Sequence, residues 1–544
     1  MPSRNGGDVV AEILSRAGVT HVFGVTSVHN LPIYDAIDRT PGMQMVRTRH
    51  EQGATHAADA FARATGGLGV VLTSTGPGAA NAVAGLYEAQ YGSSPVLMIT
   101  GQIETRFLGK GKGFLHEAER QVDMLRSVTR RAESVRRVED IGPLLDLVIR
   151  DIRSGRPQPG AIEIPIDLQY APTDAPLPPL VEPHRQAPDA ALLERAAGLL
   201  SGAARPLIWA GGGVISADAS AELTALAERL DAPVFTSVEG RGAIPEDHPL
   251  ALGARTERAA MAPIVAGADV VLAVGTRFQN YATKVWQLQI PGTLIHLDAD
   301  PGVIGRNYPA AVPLLGDARV GLEALLGLVA EREPDEAYRA ECAAAVEADL
   351  AQSLIDNGPD HTALAAHLRD LLPRDAMIVR DNTVPAYLWG NRTFPIYEPR
   401  TSIRPSSLAI GPGVSLAIGA AFGSGRRTVV IQGDGGLMLS VGELATIAEY
   451  DLPIVVCVFN DKGYGVLRAI EPVMLDRHVG VDLHTPDFAA LAQAMGMPGE
   501  SVVGLDAFGP AFRRALDRPG PTLLDIDLSA MAPQRFPLPA HYNR

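Results

Sequence analysis

Residues 428–465, TVVIQGDGGLMLSVGELATIAEYDLPIVVCVFNDKGYG, constrain this chain more than any other stretch. An apolar β-branched run at 428–431 ends in the turn Gly433-Asp434-Gly435-Gly436. Residues 440–450 follow with Val441, Leu444, Ala445 and Ala448 at helical spacing, and a second buried-strand run at 454–459 ends at Asn460-Asp461-Lys462-Gly463. The pattern predicts strand, turn, helix and strand, with polar residues at both strand exits. In a parallel sheet those exits share one edge, where ligands bind. Asp434 and Asp461 then face one crevice beside glycines whose N–H groups suit a phosphate. Carboxylate, carbonyl and phosphate oxygens together form the ligand set that Mg²⁺ prefers. Two ordinary βα loops, with Asp434 as a turn former and Asp461 as a helix cap, would carry the same residues.

The alternation repeats along the chain. Within 1–172 a helix is predicted at 8–17, strands at 21–25, 43–46, 69–73, 96–100 and 161–166, and small-residue helices at 54–64 and from Ala79 onward. Residues 172–188 are proline-rich and read as a linker. A second unit, 189–330, has strands at 206–210, 233–236, 270–274 and 293–297. A charged helical connector, 331–359, leads to a third unit, 360–544, with a helix at 362–372 and a strand at 377–379. Such repetition predicts an α/β protein of three doubly wound parallel-sheet domains, and 544 residues are too many for one core. The net charge of −15 disfavours nucleic-acid or acidic-membrane partners. Two cysteines, Cys342 and Cys457, frame neither a disulfide network nor a thiolate metal site. With no signal-peptide core and no membrane-length apolar run, a cytoplasmic enzyme is expected. The proline-bearing tail 531–544 reads as a flexible end or a flap over the site.

Five segments in order carry a resemblance. FGVTSVHNLPIYDAI (23–37), RHEQGATHAADAFAR (49–63), STGPGAAN (74–81), IGPGVSLAIGAA (410–421) and the 428–465 stretch resemble the acetolactate synthase, benzaldehyde lyase and 2-oxo acid decarboxylase branch of thiamine diphosphate (ThDP) enzymes. The resemblance implies a pyrimidine-binding domain at 1–172, a central Rossmann-like domain at 189–330 and a diphosphate-binding domain at 360–544. It implies ThDP and Mg²⁺ as cofactors, with Asp434, Asp461 and the Gly463 carbonyl as metal ligands. Glu51 falls on the family's catalytic glutamate, which would stabilise the reactive form of the cofactor's aminopyrimidine; a bare helix-terminal charge is the alternative. Ile410 falls on the wedge under the cofactor, where ordinary core packing would also place it. Gly76, Pro77 and Asn81 would shape the wall near the reacting centre. Thr383, Gly433, Gly435, Gly436, Tyr464 and Gly465 would surround the diphosphate. His29 and His116 are candidate proton carriers toward a substrate, and Val466, Leu467 and Ile470 candidate pocket residues.

Departures qualify the substrate. Asp461 stands where the family has Asn, which leaves Asn460 as a substitute ligand, and Thr26-Ser27-Val28 replaces a proline-glycine pair of acetolactate synthases. Gly275-Thr276-Arg277-Phe278 resembles a flavin-binding turn, but Ala254-Arg255-Thr256-Glu257 departs from the matching loop, so FAD is possible but not favoured. The triplet Gly211-Gly212-Gly213 suits either a nucleotide or a tight turn. The expected activity is cleavage or formation of a C–C bond beside a carbonyl, by decarboxylation of a 2-oxo acid with or without carboligation. An acyloin or 1,2-diketone lyase or hydrolase is the alternative, and a non-catalytic ThDP-fold or nucleotide-binding regulator the reading from another class. The resemblance also implies a homodimer as minimal active unit, paired into a tetramer.

Overall fold

A computed structural model describes residues 4–179, 181–532 and 534–536. Three parallel six-stranded sheets form the frame. The first contains β1 (His21–Gly24), β2 (Gln44–Arg47), β3 (Gly69–Thr73), β4 (Val96–Gln102), β5 (Arg131–Ser134) and β6 (Gly160–Pro165), in the order β2-β1-β3-β4-β6-β5. The second contains β7 (Pro206–Ala210), β8 (Val234–Thr236), β9 (Ala251–Gly253), β10 (Val270–Val274), β11 (Thr293–Asp298) and β12 (Val312–Leu315), in the order β12-β11-β10-β7-β8-β9. The third contains β13 (Met377–Arg380), β14 (Ser402–Ile403), β15 (Thr428–Gly433), β16 (Ile454–Asn460), β17 (Gly499–Val503) and β18 (Thr522–Asp527), in the order β14-β13-β15-β16-β18-β17. Helices cover both faces of each sheet, so alternate residues of one strand enter different cores. In β7, Ile208 and Ala210 join one cluster while Leu207 and Trp209 join another.

The strands predicted from sequence are present to within one or two residues. Those not predicted are β5, β9, β12, β14, β17 and β18, and all but β18 lie at a sheet edge. Edge strands are buried on fewer sides and need no continuous apolar run; in β17 only Val502 is buried. Two helical expectations change in extent. The predicted connector and the 362–372 helix form one run, Glu336–Leu371, broken at Gly358 (φ 72°, ψ 173°) ahead of Pro359. The predicted 440–450 helix shortens to Glu443–Glu449, with a separate turn of helix at Asp434–Leu437. In the tail, Phe536 lies 5.7 Å, ring to ring, from Tyr387, and the Ala532 N–H donates to Asp360. Residues 533 and 537–544, on which the flap expectation also falls, lie outside the described residues.

The first and third sheets share a core. Helix Glu51–Thr65 packs along helix Gly413–Ser424, and residues 53–62 of the former are buried throughout. A methyl group added at Gly419 would stand 1.8 Å from the Ala57 carbonyl oxygen, so the backbones touch. One carboxylate of the central unit reaches both. Glu239 accepts from Arg63 (2.9 Å) and from Arg404 (2.8 Å), and Arg63 also donates to the Arg404 carbonyl. Burial would raise the Glu239 pKa, but Arg404 and Arg63 outweigh it and hold the group below the usual carboxylate range.

Gly419→Ala is expected to lower stability by about 1–3 kcal/mol or more, because the helices must part. Gly198→Ala, on an exposed helical position with nothing within 4 Å, should instead raise it by up to about 1 kcal/mol. Denaturant midpoints of the two variants against the parent protein provide the measurement.

Candidate active site

The edge of the third sheet is built from strand exits. β15 delivers Asp434 and β16 delivers Asp461 to neighbouring positions, because the two strands pair in register from Thr428 with Ile454 to Gly433 with Phe459. Asp434 is 1% exposed and accepts from the Gly463 N–H at 2.8 Å. Burial raises its pKa. Asp461 is pushed up to about 7, by burial first and then by Asp434. Two carboxylates that disfavour each other's charge are a fit for a divalent cation, which would relieve both penalties. Asn460 turns the other way. Its amide N–H donates to Asp525 (2.9 Å) and its oxygen accepts from the Lys462 N–H, so it does not face Asp434.

The glycines of the turn are required by their surroundings. A methyl group at Gly435 would lie 2.7 Å from the Tyr464 ring, one at Gly433 2.8 Å from Thr383 Oγ1, and one at Gly465 within bonding distance of Asp461. At Gly436 it would meet Asp381, Gln432 and Ile410. Asp381 was not predicted from sequence. It is buried, its pKa raised by that burial, and it accepts from the Gly411 N–H (3.0 Å) and from Gln432, tying the Ile410 loop to β15. A polar Gln432 inside the run TVVIQG was the available signal. Ile410 is exposed, as are Leu408, Met438 and Leu439 around it. Of the predicted pocket residues, Leu467 is exposed, Val466 half-buried and Ile470 7% exposed.

The first sheet holds the other predicted residues. Glu51 opens its helix behind the N-cap His50, whose Nδ1 accepts from the Gln52 N–H. Asn81 Nδ2 donates to Glu51 Oε2 at 3.0 Å, and a methyl group at Gly78 would sit 3.1 Å from Oε1. Gly76 (φ 59°) leads into helix Pro77–Gly92, and a methyl group there would meet the His116 carbonyl at 2.8 Å. Gln121 accepts from the Gly76 N–H (2.8 Å) and Thr75, and donates to Glu163 and the Gly101 carbonyl. This buried amide and carboxylate support lies far apart in sequence and has no local signal. His116 is half-buried at φ 60°, whereas His29 is 3% exposed behind it, ring centroids 5.3 Å apart. Burial, then His116, lowers the His29 pKa.

Glu443 connects the two regions within the chain. Its Oε1 accepts from the backbone N–H groups of Arg49 (3.0 Å) and His50 (3.2 Å), the residues just before Glu51. Even so, no hydrogen bond joins Glu51 to Asp381, Asp434 or Asp461 among the described residues.

A separate cavity of about 540 Å³ opens between the three units, lined by Gly212, Gly213, Arg277 and Asp298 among others. Methyl groups at Gly211 and Gly213 would meet the Gly275 backbone at 2.1 and 2.6 Å, so close loop packing accounts for those glycines. Burial pushes Asp298 up to about 6. No Phe, Tyr or Trp lines the cavity among the described residues.

Comparison with known proteins agrees with this arrangement. Residues 4–124 match the family model "Thiamine pyrophosphate enzyme, N-terminal TPP binding domain", 193–325 the "central domain" and 385–526 the "C-terminal TPP binding domain". A probable 2-ketoarginine decarboxylase of Pseudomonas aeruginosa is 36% identical over 533 residues, covering 96% of this chain and 93% of that protein. A probable acetolactate synthase large subunit of Methanocaldococcus jannaschii is 32% identical, over 96% of this chain and 91% of its own length. The acetolactate synthase isozyme 3 large subunit of Escherichia coli is 31% identical, over 92% and 90%. Thiamine pyrophosphate is ThDP under its other name, and the chain belongs to the thiamine pyrophosphate enzyme family.

Proposed function

We propose that this protein is a ThDP- and Mg²⁺-dependent 2-oxo acid decarboxylase, with or without transfer of the remaining acyl unit to a second carbonyl compound. The observation that carries the reading is the Asp434 and Asp461 pair beside a glycine turn that has no room for side chains. ThDP, when bound, supplies the nucleophilic carbon and the electron sink that side chains lack. Asp434, Asp461 and the Gly463 carbonyl would hold Mg²⁺, and backbone N–H groups of the turn at Gly435 and Gly436 would bind the diphosphate. Thr383, Tyr464 and Gly465 border it, and Ile410 wedges beneath the cofactor. Glu51 would hold and move a proton at the pyrimidine ring, with Asn81 engaging Oε2 and leaving Oε1 toward Gly78. His116 would carry a proton at the substrate, with His29 acting through it; Leu467 and Val466 would border the substrate, with Ile470 behind them. Names of relatives support a 2-oxo acid substrate, since one is a probable 2-ketoarginine decarboxylase and several are acetolactate synthases. We assign the pyrimidine-binding, central and diphosphate-binding roles to 1–172, 189–330 and 360–544.

The exposed Leu408, Ile410, Met438 and Leu439 support a subunit interface at the diphosphate edge. Each site would draw Glu51 from one chain and Asp434 from its partner in a homodimer, with dimers paired into a tetramer. The cavity between the units suits a nucleotide, with Asp298 toward a ribose and Arg277 toward a phosphate. A flavin is possible but not favoured, because Ala254-Arg255-Thr256-Glu257 departs from the loop that flavin-containing members carry. No helix among the described residues is long and apolar enough to cross a membrane, and both cysteines are free and buried, which supports a cytoplasmic setting.

CO₂ release from 2-oxo acids of varied side chain should require ThDP, stop with a chelator and return with Mg²⁺. No turnover of any 2-oxo acid by the cofactor-loaded protein would overturn the reading. Glu51→Gln and Asp434→Asn should each lose nearly all activity alone. Once dissociated, mixed and reassociated, they should recover about a quarter of parental activity, because half the dimers are then mixed and each has one intact site. Failure of mixing to restore any activity, with reassociation verified, would contradict sites shared between chains.

A further inference from the structure

The loop Thr26-Ser27-Val28, which departs from acetolactate synthases, enters a hydrogen-bonded chain that ends on His116. The His29 N–H lies 3.3 Å from Ser27 Oγ, Ser27 Oγ 2.7 Å from Ser74 Oγ, and Ser74 Oγ 3.4 Å from His116 Nδ1. The first link has one direction, because a backbone N–H can only donate. Ser27 is itself held by donation of its own N–H to Asn30 Oδ1 at 2.9 Å. If Ser27 then donates to Ser74 and Ser74 to His116, every hydroxyl proton has an acceptor inside the protein. That direction makes Nδ1 of neutral His116 an acceptor and puts its proton on Nε2.

Several contacts restrain His116 for this purpose. Its carbonyl accepts from Thr75 Oγ1 at 3.4 Å, the next residue after Ser74, and Gly76 leaves the space that this carbonyl occupies. Ser74 is 6% exposed, and a methyl group at Gly78 would lie 2.9 Å from its Cβ and 3.1 Å from Glu51 Oε1, so Ser74 neighbours Glu51 as well as His116. Hydrogen bonds of an empty site are often long and tighten with substrate, which suits the 3.4 Å link.

We propose that Ser74, directed by Ser27, is a positioning residue that fixes the Nε2–H tautomer of His116, so that His116 presents a proton donor to the substrate. The inference rests on the proposed function, which makes His116 the proton carrier. It adds Ser27 and Ser74, whose hydroxyls act only through that ring.

The test is a double-mutant cycle on the cofactor-loaded enzyme, with CO₂ release and proton exchange at the cofactor's reactive carbon measured separately. Ser74→Ala should lower kcat by about tenfold or more, leave KM within about twofold, and leave the Glu51-dependent exchange rate as in the parent. Ser74→Thr keeps the hydroxyl and should restore kcat. His116→Gln presents an amide N–H with no tautomer to set, so adding Ser74→Ala to it should bring no further loss. Ser27→Ala should follow the same pattern with a smaller effect. Undiminished loss from Ser74→Ala in the His116→Gln background, or no rescue by Thr, would show that Ser74 only shapes the turn. If His116→Ala leaves kcat unchanged, the proton role of His116 fails and the relay with it. If His116→Ala is inactive while Ser74→Ala is not, the relay alone fails.

Discussion

Contact between helix Glu51–Thr65 and helix Gly413–Ser424 is the constraint on which the rest of the molecule depends. One helix begins at Glu51, and the other begins two residues after Gly411, in the loop that carries Ile410. Their separation is set by backbone rather than by side chains, because Gly419 meets the Ala57 carbonyl. A contact of that kind has few neighbouring solutions, whereas a seam of leucines can repack. Glu443 adds a second restraint at the start of the Glu51 helix, and its side chain fills the space that Gly53 leaves open. Glu51 and the Ile410 loop thus inherit their positions from one closely packed pair of helices.

Much of this was legible in the chain itself. The apolar runs that became the inner strands, the glycine turn at 433–436 and the order of five motifs led to three parallel sheets and to the thiamine pyrophosphate enzyme family. Legibility failed where the physical cause is distant or weak. Edge strands such as β5 and β17 bury too little to need an apolar run. Gln121, Glu163 and Glu443 act through partners tens to hundreds of residues away, and no local pattern announces that. Asn460 beside Asp461 looked interchangeable with it as a ligand. The pairing of β16 with β18 gives Asn460 an Asp525 partner, a difference between the two that no local pattern shows.

The site also illustrates how unlike demands are met with one sheet edge. Glycines let Thr383, Tyr464 and Asp381 close on the turn, Asp434 and Asp461 leave neighbouring strands, and Asp381 braces the loop that carries Ile410. Asp461 places a second carboxylate beside Asp434, and burial together with Asp434 pushes its pKa up to about 7, so negative charge is disfavoured at this edge.

The Glu239 clasp has a consequence for how the molecule comes apart. Its two arginines reach it from the first and third units, so one carboxylate secures three bodies at a single point. A carboxylate held below its ordinary range contributes stability above its unfolded pKa and loses it as pH falls through the folded one. Acid therefore loosens this joint by neutralising Glu239, while Arg241 of the central unit, which donates to the backbone carbonyls of Gly390 and Phe394, keeps a hold that no carboxylate titration removes.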